Sequence, residues 1–401
     1  MELFLLEHKK LWRKKSVKIS VLLCLVYTVI FGSILSFQWF SFGSSDDYTS
    51  AFGNNFDGYE VIRRSQEYSL MVGGKLTDES LQQLVKDYQS MDAAGLEDDL
   101  EKTDWTTINS WLGTLYPELS DTGNPRTMIS YVDPNKLTDF YERRRSAVED
   151  FLENSGQVGN EKEYLMQMNQ NVSEPFHYEW VKGWSEVLGS MVPDLGVVMA
   201  LFLAIALSSL FAGEWYNNTT SLVLTTQNGW KKVAYAKIFT GIAFTIELFF
   251  ILLIGNVTSQ VFFMGTAGWD MPIQTIKLIA IAPMNMFQAE IYEYAFAFFG
   301  AIGFCGVVML ISSAVKSNVL ALLFSLAIVY GPMMISEYLP YGVQKALDLI
   351  PLVGSGADIF RTNTFNLFGK IIWSPYGSYF DRNNMYTIDR DEMVTQDEGI
   401  I

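Results

Sequence analysis

The residues able to do chemistry in this chain are few, and the first is a carboxylate placed among hydrocarbons. Glu247 sits inside the apolar run GIAFTIELFFILL. An ionised acid at the centre of a membrane span costs roughly 3 kcal/mol or more, so it faces a partner, a cavity or a subunit interface, or stays protonated. Glu247 therefore either lines a pathway or subunit seam and meets a cationic or polar substrate, or hydrogen-bonds a neighbouring helix and shapes packing. Elsewhere no catalytic or metal site assembles. His8 and His177 are the only histidines, and no pair has metal-ligand spacing. GxSxG and HExxH are both absent, and no nucleophile has an evident base. Gly74-Lys75 and Gly369-Lys370 lack the upstream glycine and following Ser/Thr of a phosphate-binding loop. Met166 and Met168, without cysteine or histidine beside them, are weak soft-metal ligands. The expectation is a chain that is not an enzyme, with no catalytic residue, no metal and no cofactor of its own.

The elements that must position Glu247 are membrane helices. Two apolar runs, at 191–213 and 238–262, flank the basic-and-polar stretch FAGEWYNNTTSLVLTTQNGWKKVAYAK. At ~1.5 Å per residue, about 20 apolar residues cross a bilayer, so both runs are long enough. They deliver the intervening loop, 214–237, to one water interface. The loop sets Glu214 against Lys231, Lys232 and Lys237, and the positive-inside bias places it in the cytoplasm. Further spans are expected at 17–43, 293–315 and 319–337, with a minimal basic turn at 316–318. Residues 1–16 read as a basic amphipathic helix in the cytoplasmic headgroup region, with Leu3, Leu5, Leu6, Leu11 and Trp12 opposed to lysines and Arg13. A plain positive-inside flank is the alternative. The apolar run after it is too long for a cleavable signal.

Formal charge is −16, and mean hydropathy is +0.16. These averages conceal a soluble block at 44–190 holding about 27 acids against about 12 bases. So acidic a surface excludes nucleic-acid partners, which need basic stripes. The orientation of the spans makes this block extracellular. Cys24 and Cys305 both fall in expected spans, so the outer domain has no disulfide framework. Within the domain, Leu76–Met91 reads as a helix capped by Thr77. Asp133–Asn154 reads as a second, with Asp133 capping, Pro134 first, and Tyr141, Val148 and Phe151 on its apolar face. Arg126–Val132 reads as a strand, and Trp105–Tyr116 as core. Arg143-Arg144-Arg145 serves as internal counter-charge or as a ligand site.

Residues 263–292 return outside, broken by Pro272 and Pro283 into short interfacial or re-entrant helices. Glu290, Glu293 and Glu337 are expected as solvated rim charges, and Asp194 as a helix start. Gly300, Gly303 and Gly306 offer close helix packing. Residues 338–401 hold a helical excursion and an acidic tail in which no sixth span is identifiable. Either the protein ends outside after five spans, or a final helix has been lost; loss or alteration is the expectation.

The loop resembles that following the second membrane helix of ABC-2 type ABC-transporter permeases. Glu214, Thr219, Leu222, Leu224, Thr225, Thr226 and Lys237 fall on that pattern. Asn218 stands where the family prefers Gly, and Gln227 where it prefers Pro. The resemblance covers 1–43 and about 185–365. It implies an α-helical polytopic membrane protein, an ABC-2 or type V exporter-like bundle, with a mostly helical (α or α+β) extracellular domain. It further implies a coupling helix at about 218–226, with Leu222 and Leu224 seated in a groove of an ABC ATPase subunit. ATP and Mg would then reside on that partner, and a second permease chain, identical or paralogous, would complete the pathway. Glu214 would anchor the loop's start and Lys237 the next helix's inner end. The implied function is export of a peptide or other amphipathic cargo from a multi-pass protein of the cell membrane. A membrane sensor or scaffold with an extracellular ligand-binding domain is the alternative.

Overall fold

The computed structural model describes residues 2–15, 17–28, 66, 73–93, 105–120, 128–155, 157, 159–216 and 229–335, plus scattered positions and the stretch 364–373 between 338 and 373. It is mostly helical. In chain order the elements are α1 (Glu2–Arg13), α2 (Val17–Thr28), β1 (Gly74–Lys75), α3 (Asp78–Ala93), α4 (Trp105–Leu115), the single turn α5 (Met128–Tyr131), α6 (Phe140–Asn154), α7 (Asn160–Gln170) and β2 (His177–Tyr178). There follow α8 (Lys182–Glu186), a π-helical turn (Val187–Met191), α9 (Val192–Leu207), α10 (Ser209–Tyr216), α11 (Gly229–Phe263), α12 (Met286–Ala314) and α13 (Asn318–Ile335). A hairpin, β3 (Thr364–Leu367) with β4 (Lys370–Trp373), comes last.

Among the described residues, three helical stretches are long and apolar enough to cross a membrane: Leu195–Tyr216, Gly229–Phe263 and Met286–Ala314. α2 and α13 are shorter apolar helices beside them. Close approach is set by small residues. A Cβ at Gly241 on α11 would stand 2.6 Å from Met309 Sδ on α12, so a side chain there would make the methionine shift. Ala301 and Cys305 of the small-residue run are fully buried, and a Cβ at Gly300 would press on Leu352 at 3.0 Å. Gly300 packs as read, whereas Gly306 is exposed and a Cβ there would meet nothing within 4 Å.

The acidic domain is built on a short antiparallel pairing of β1 with β2 and on α3 to α7. The expected Thr77 cap is present, Ser80 N donating to Thr77 Oγ1 at 3.3 Å, and Leu81, Leu84 and Val85 of α3 are buried. Asp133 accepts from Asn135 N at 3.0 Å, but the element it starts is only a 3-10 turn, Pro134–Lys136. The chain then turns through Asp139 at φ 62°, and α6 begins at Phe140. Its cap is the carboxylate of Asp78, which accepts from Asp139 N and Phe140 N. The buried face of α6 is therefore Phe140, Arg144, Val148 and Leu152, rotated from the expected Tyr141–Val148–Phe151. The expected strand at 126–132 is instead α5, because Asn109 Oδ1 takes Ile129 N and both Met128 and Ile129 insert into the core. Trp111 and Tyr116 sit in that core, as expected.

Residues 264–285 are not short membrane-interface helices. Their regular structure is one 3-10 turn, Ile273–Thr275, and Ala280, Ile281 and Ala282 are fully buried. The acidic domain covers them: Trp111 Nε1 donates to Thr275 O at 3.1 Å and Trp184 Nε1 to Ala267 O at 2.7 Å. Arg144, 0% exposed, donates to Leu278 O and Ala280 O, each at 2.9 Å, and to Asn169 Oδ1. Arg143 and Arg145 pair outward with Glu118 and Glu174 at 2.6 Å. The arginine triplet is internal counter-charge with a rivet at its centre. The β3–β4 hairpin also docks at this end, Trp373 stacking on Tyr292 at 5.8 Å. It replaces part of the expected helical excursion with a strand pair.

Candidate functional site

At the opposite end of the bundle the sequence pattern closes on itself. Glu214, near the end of α10, and Lys237, two turns into α11, meet at 2.7 Å. Lys237 is 1% exposed and also donates to Leu210 O, and its ammonium lies over the Phe211 ring at 5.2 Å. The two residues expected to anchor the two ends of the loop therefore anchor each other. Asn218, Thr219, Leu222, Leu224 and Thr225 lie outside the described residues, as do Thr226 and Gln227.

Just above this pair the helix's hydrogen-bond ladder is interrupted, although Ser208 itself keeps α-helical angles, φ −53° and ψ −33°. α9 stops at Leu207 and α10 starts at Ser209. The hydroxyl of Ser312, from α12, fills the break: it donates to Ser208 O at 2.6 Å and accepts from Phe211 N and Ala212 N, both at 3.1 Å. Backbone groups left out of a helix ladder within a bilayer must be satisfied by a neighbour. Lys237 takes one further carbonyl of the same stretch, Leu210 O. Side chains of α11 and α12 thus hold a jointed α9–α10 at the base of the loop.

Glu247 faces α1. Trp12 Nε1 donates to Glu247 Oε2 at 2.8 Å, and His8 Nε2 lies 3.1 Å from Glu247 Oε1. Trp12 also meets Phe244 edge-on at 5.5 Å, and Leu11 is buried. The acid hydrogen-bonds a neighbouring helix, and 42% of its side chain stays exposed. Of the leucines of α1, Leu11 is buried against the bundle, whereas Leu5 and Leu6 are 54% and 63% exposed. The bundle face is Phe4, His8, Leu11 and Trp12, with Phe4 stacked on His8 at 5.7 Å. The i, i+4 spacing of Phe4, His8 and Trp12 was the available signal. The stripe brings Trp12 and His8 to the two oxygens of this half-buried acid.

The solvated-rim reading of Glu290 and Glu293 is overturned: they are 6% and 2% exposed. α11 runs on to Phe263 beside them, and the acidic domain with residues 264–285 caps that end. Glu290 bonds the side chains of Gln260 and Tyr294, and Asn256 Nδ2 donates to Tyr294 OH and to Met191 O, each at 3.1 Å. Glu337 lies outside the described residues. Among the described residues no group of three or more His, Cys, Asp or Glu is placed to hold a metal ion.

No family model, curated protein or solved structure matches this chain.

Proposed function

We propose that this chain is the membrane-spanning permease subunit of an ATP-driven transporter of the ABC-2 type, coupled to a separate ATPase subunit. The observation that carries the reading is the Glu214–Lys237 pair. It joins the two helices that bracket the loop, so the loop is borne on one braced base. A push on the loop would move α10 and α11 together, and the joint at Ser208 is where α9 can change its angle to them. Coupling between distant sites needs such a two-state element. The loop would meet an ATPase groove through Leu222 and Leu224, and the partner would hold ATP and Mg. Two permease chains, identical or paralogous, would enclose the pathway.

The cargo we assign is a cationic amphipathic peptide, exported, because the acidic domain would raise its local concentration. The acidic domain and the β3–β4 hairpin then lie outside the cell membrane, and α1 and the loop lie inside. Lipids surround the spans.

The test is co-purification of the chain with its co-expressed chromosomal neighbours, scored for a P-loop ATPase. Leu222→Asp should release the ATPase while the permease stays monodisperse. Undiminished co-purification of that variant would sink the coupling assignment. A stable partner with no ATPase activity would favour a sensor or scaffold, a reading that the riveted outer domain also serves.

A further inference from the structure

The Lys237 end carries a cavity of about 470 Å³, a size typical of small-ligand sites. Its walls come from α1, the α9–α10 joint, α11 and the start of α13. Three amines line it: Lys10, Lys14 and Lys237. Two carboxylates line it too, but both are engaged. Glu214 is committed to Lys237, and Glu7 stands 3.4 Å from Lys10. Lys14 has the Ser209 hydroxyl at 2.6 Å and, among the described residues, no carboxylate at ion-pair distance. Burial lowers its affinity for a proton, and Lys10 and Lys237 lower it further, with Glu7 opposing. On the same wall, Asn318 Oδ1 is buried and receives no hydrogen bond.

The cavity thus presents positive charge short of a counter-ion, and an acceptor short of a donor. A phosphate answers the first need and an alcohol the second. We propose that the cavity binds a phosphoglycerol group, with the phosphate between Lys10 and Lys14 and a glycerol hydroxyl donating to Asn318. Both a lipid headgroup and free glycerol phosphate carry this chemistry. The position beside a basic amphipathic helix at the entry to the spans favours the headgroup of phosphatidylglycerol. Bound there, it would tie α1 to the joint and to α11. The inference rests on the membrane placement of the spans and is independent of the ATPase, so the Leu222→Asp result leaves it untouched.

The experiment uses the full chain in nanodiscs of dioleoyl phosphatidylcholine containing graded dioleoyl phosphatidylglycerol, with retained lipid counted by native mass spectrometry. Each lysine near an anionic headgroup contributes about fivefold, so K10Q/K14Q should lower phosphatidylglycerol affinity about thirty-fold. The exposed pair K231Q/K232Q, which lies off the cavity wall, should change it by no more than about twofold. K14R should retain binding, which separates loss of charge from loss of fold. Asn318→Leu should erase any preference for phosphatidylglycerol over dioleoyl phosphatidic acid, which lacks the second glycerol. Displacement by millimolar glycerol 3-phosphate would assign the site to the free ion, and resistance to it would assign the lipid. Equal losses in the two lysine pairs, or no preference over phosphatidylcholine in the unaltered chain, would overturn the proposal.

Discussion

Arg144 and Lys237 are both buried cations, 0% and 1% exposed, at opposite ends of the bundle, and they take opposite kinds of partner. Arg144 spends its fork on neutral oxygens: two carbonyls of the segment joining α11 to α12, and Asn169. Its nearest carboxylate, Glu174, is 3.7 Å away and is shared with Arg145. Burial lowers its pKa to about 10, still far above physiological pH. Such a contact does not switch. Lys237 instead pairs with a carboxylate, Glu214, on the helix at the other side of the loop, and adds one carbonyl, Leu210 O. That pair braces the two helices that bracket the loop. The difference separates an end where a domain is riveted to the span linker from an end where an ion pair braces the two helices that bracket the loop.

The comparison can be broken most forcefully at the rivet. Arg144→Met should destabilise the protein by about 3–5 kcal/mol, since it strands two buried carbonyls and Asn169. Thermal unfolding would read the loss, and limited proteolysis should begin within residues 264–285. A midpoint unchanged within 1 °C would show that the domain is not held here.

A smaller effect is expected at the joint. Ser312→Ala should cost about 1–3 kcal/mol by leaving Phe211 N, Ala212 N and Ser208 O short of a partner. If the joint is the moving part, hydrogen exchange at 208–212 should rise while exchange in the acidic domain stays level.

The smallest effect sharpens the riveted end. Tyr141 donates to Leu76 O at 2.6 Å and accepts from Phe176 N at 2.7 Å, and burial raises its pKa to about 12. The folded value lies above the unfolded value near 10, so its contribution is complete below about pH 10 and is lost as the pH climbs towards 12. Tyr141→Phe should cost about 1 kcal/mol at neutral pH and flatten that alkaline loss. An unchanged alkaline profile would place the titrating group elsewhere.

Long elements were legible in the sequence because their signals are local. Twenty apolar residues in a row need no tertiary context, and neither does Thr77 ahead of an apolar-periodic run. What stayed hidden depends on contacts far apart in sequence. Arg144 reads as one of three surface arginines until residues 278–280 are brought over it. Glu290 and Glu293 read as rim charges because they follow a helix start, and nothing local shows that a domain will cap them. The strand pair at 364–373 was missed for another reason. Its turn places Phe368 and Gly369 at φ 52° and 85°, and phenylalanine is a poor advertisement for a positive-φ turn. At the loop, Glu214 and Lys237 were picked out by pattern, yet their bond to each other depends on α10 and α11 lying side by side.

The most direct test is the ATP turnover of the complex formed by this chain and its co-expressed P-loop partner in nanodiscs, measured for E214K, K237E and the swap E214K/K237E. The account predicts turnover that depends on this chain, falls at least tenfold in each single variant, and recovers substantially in the swap. Turnover indifferent to all three variants, or a chain that brings down no ATPase, would contradict it.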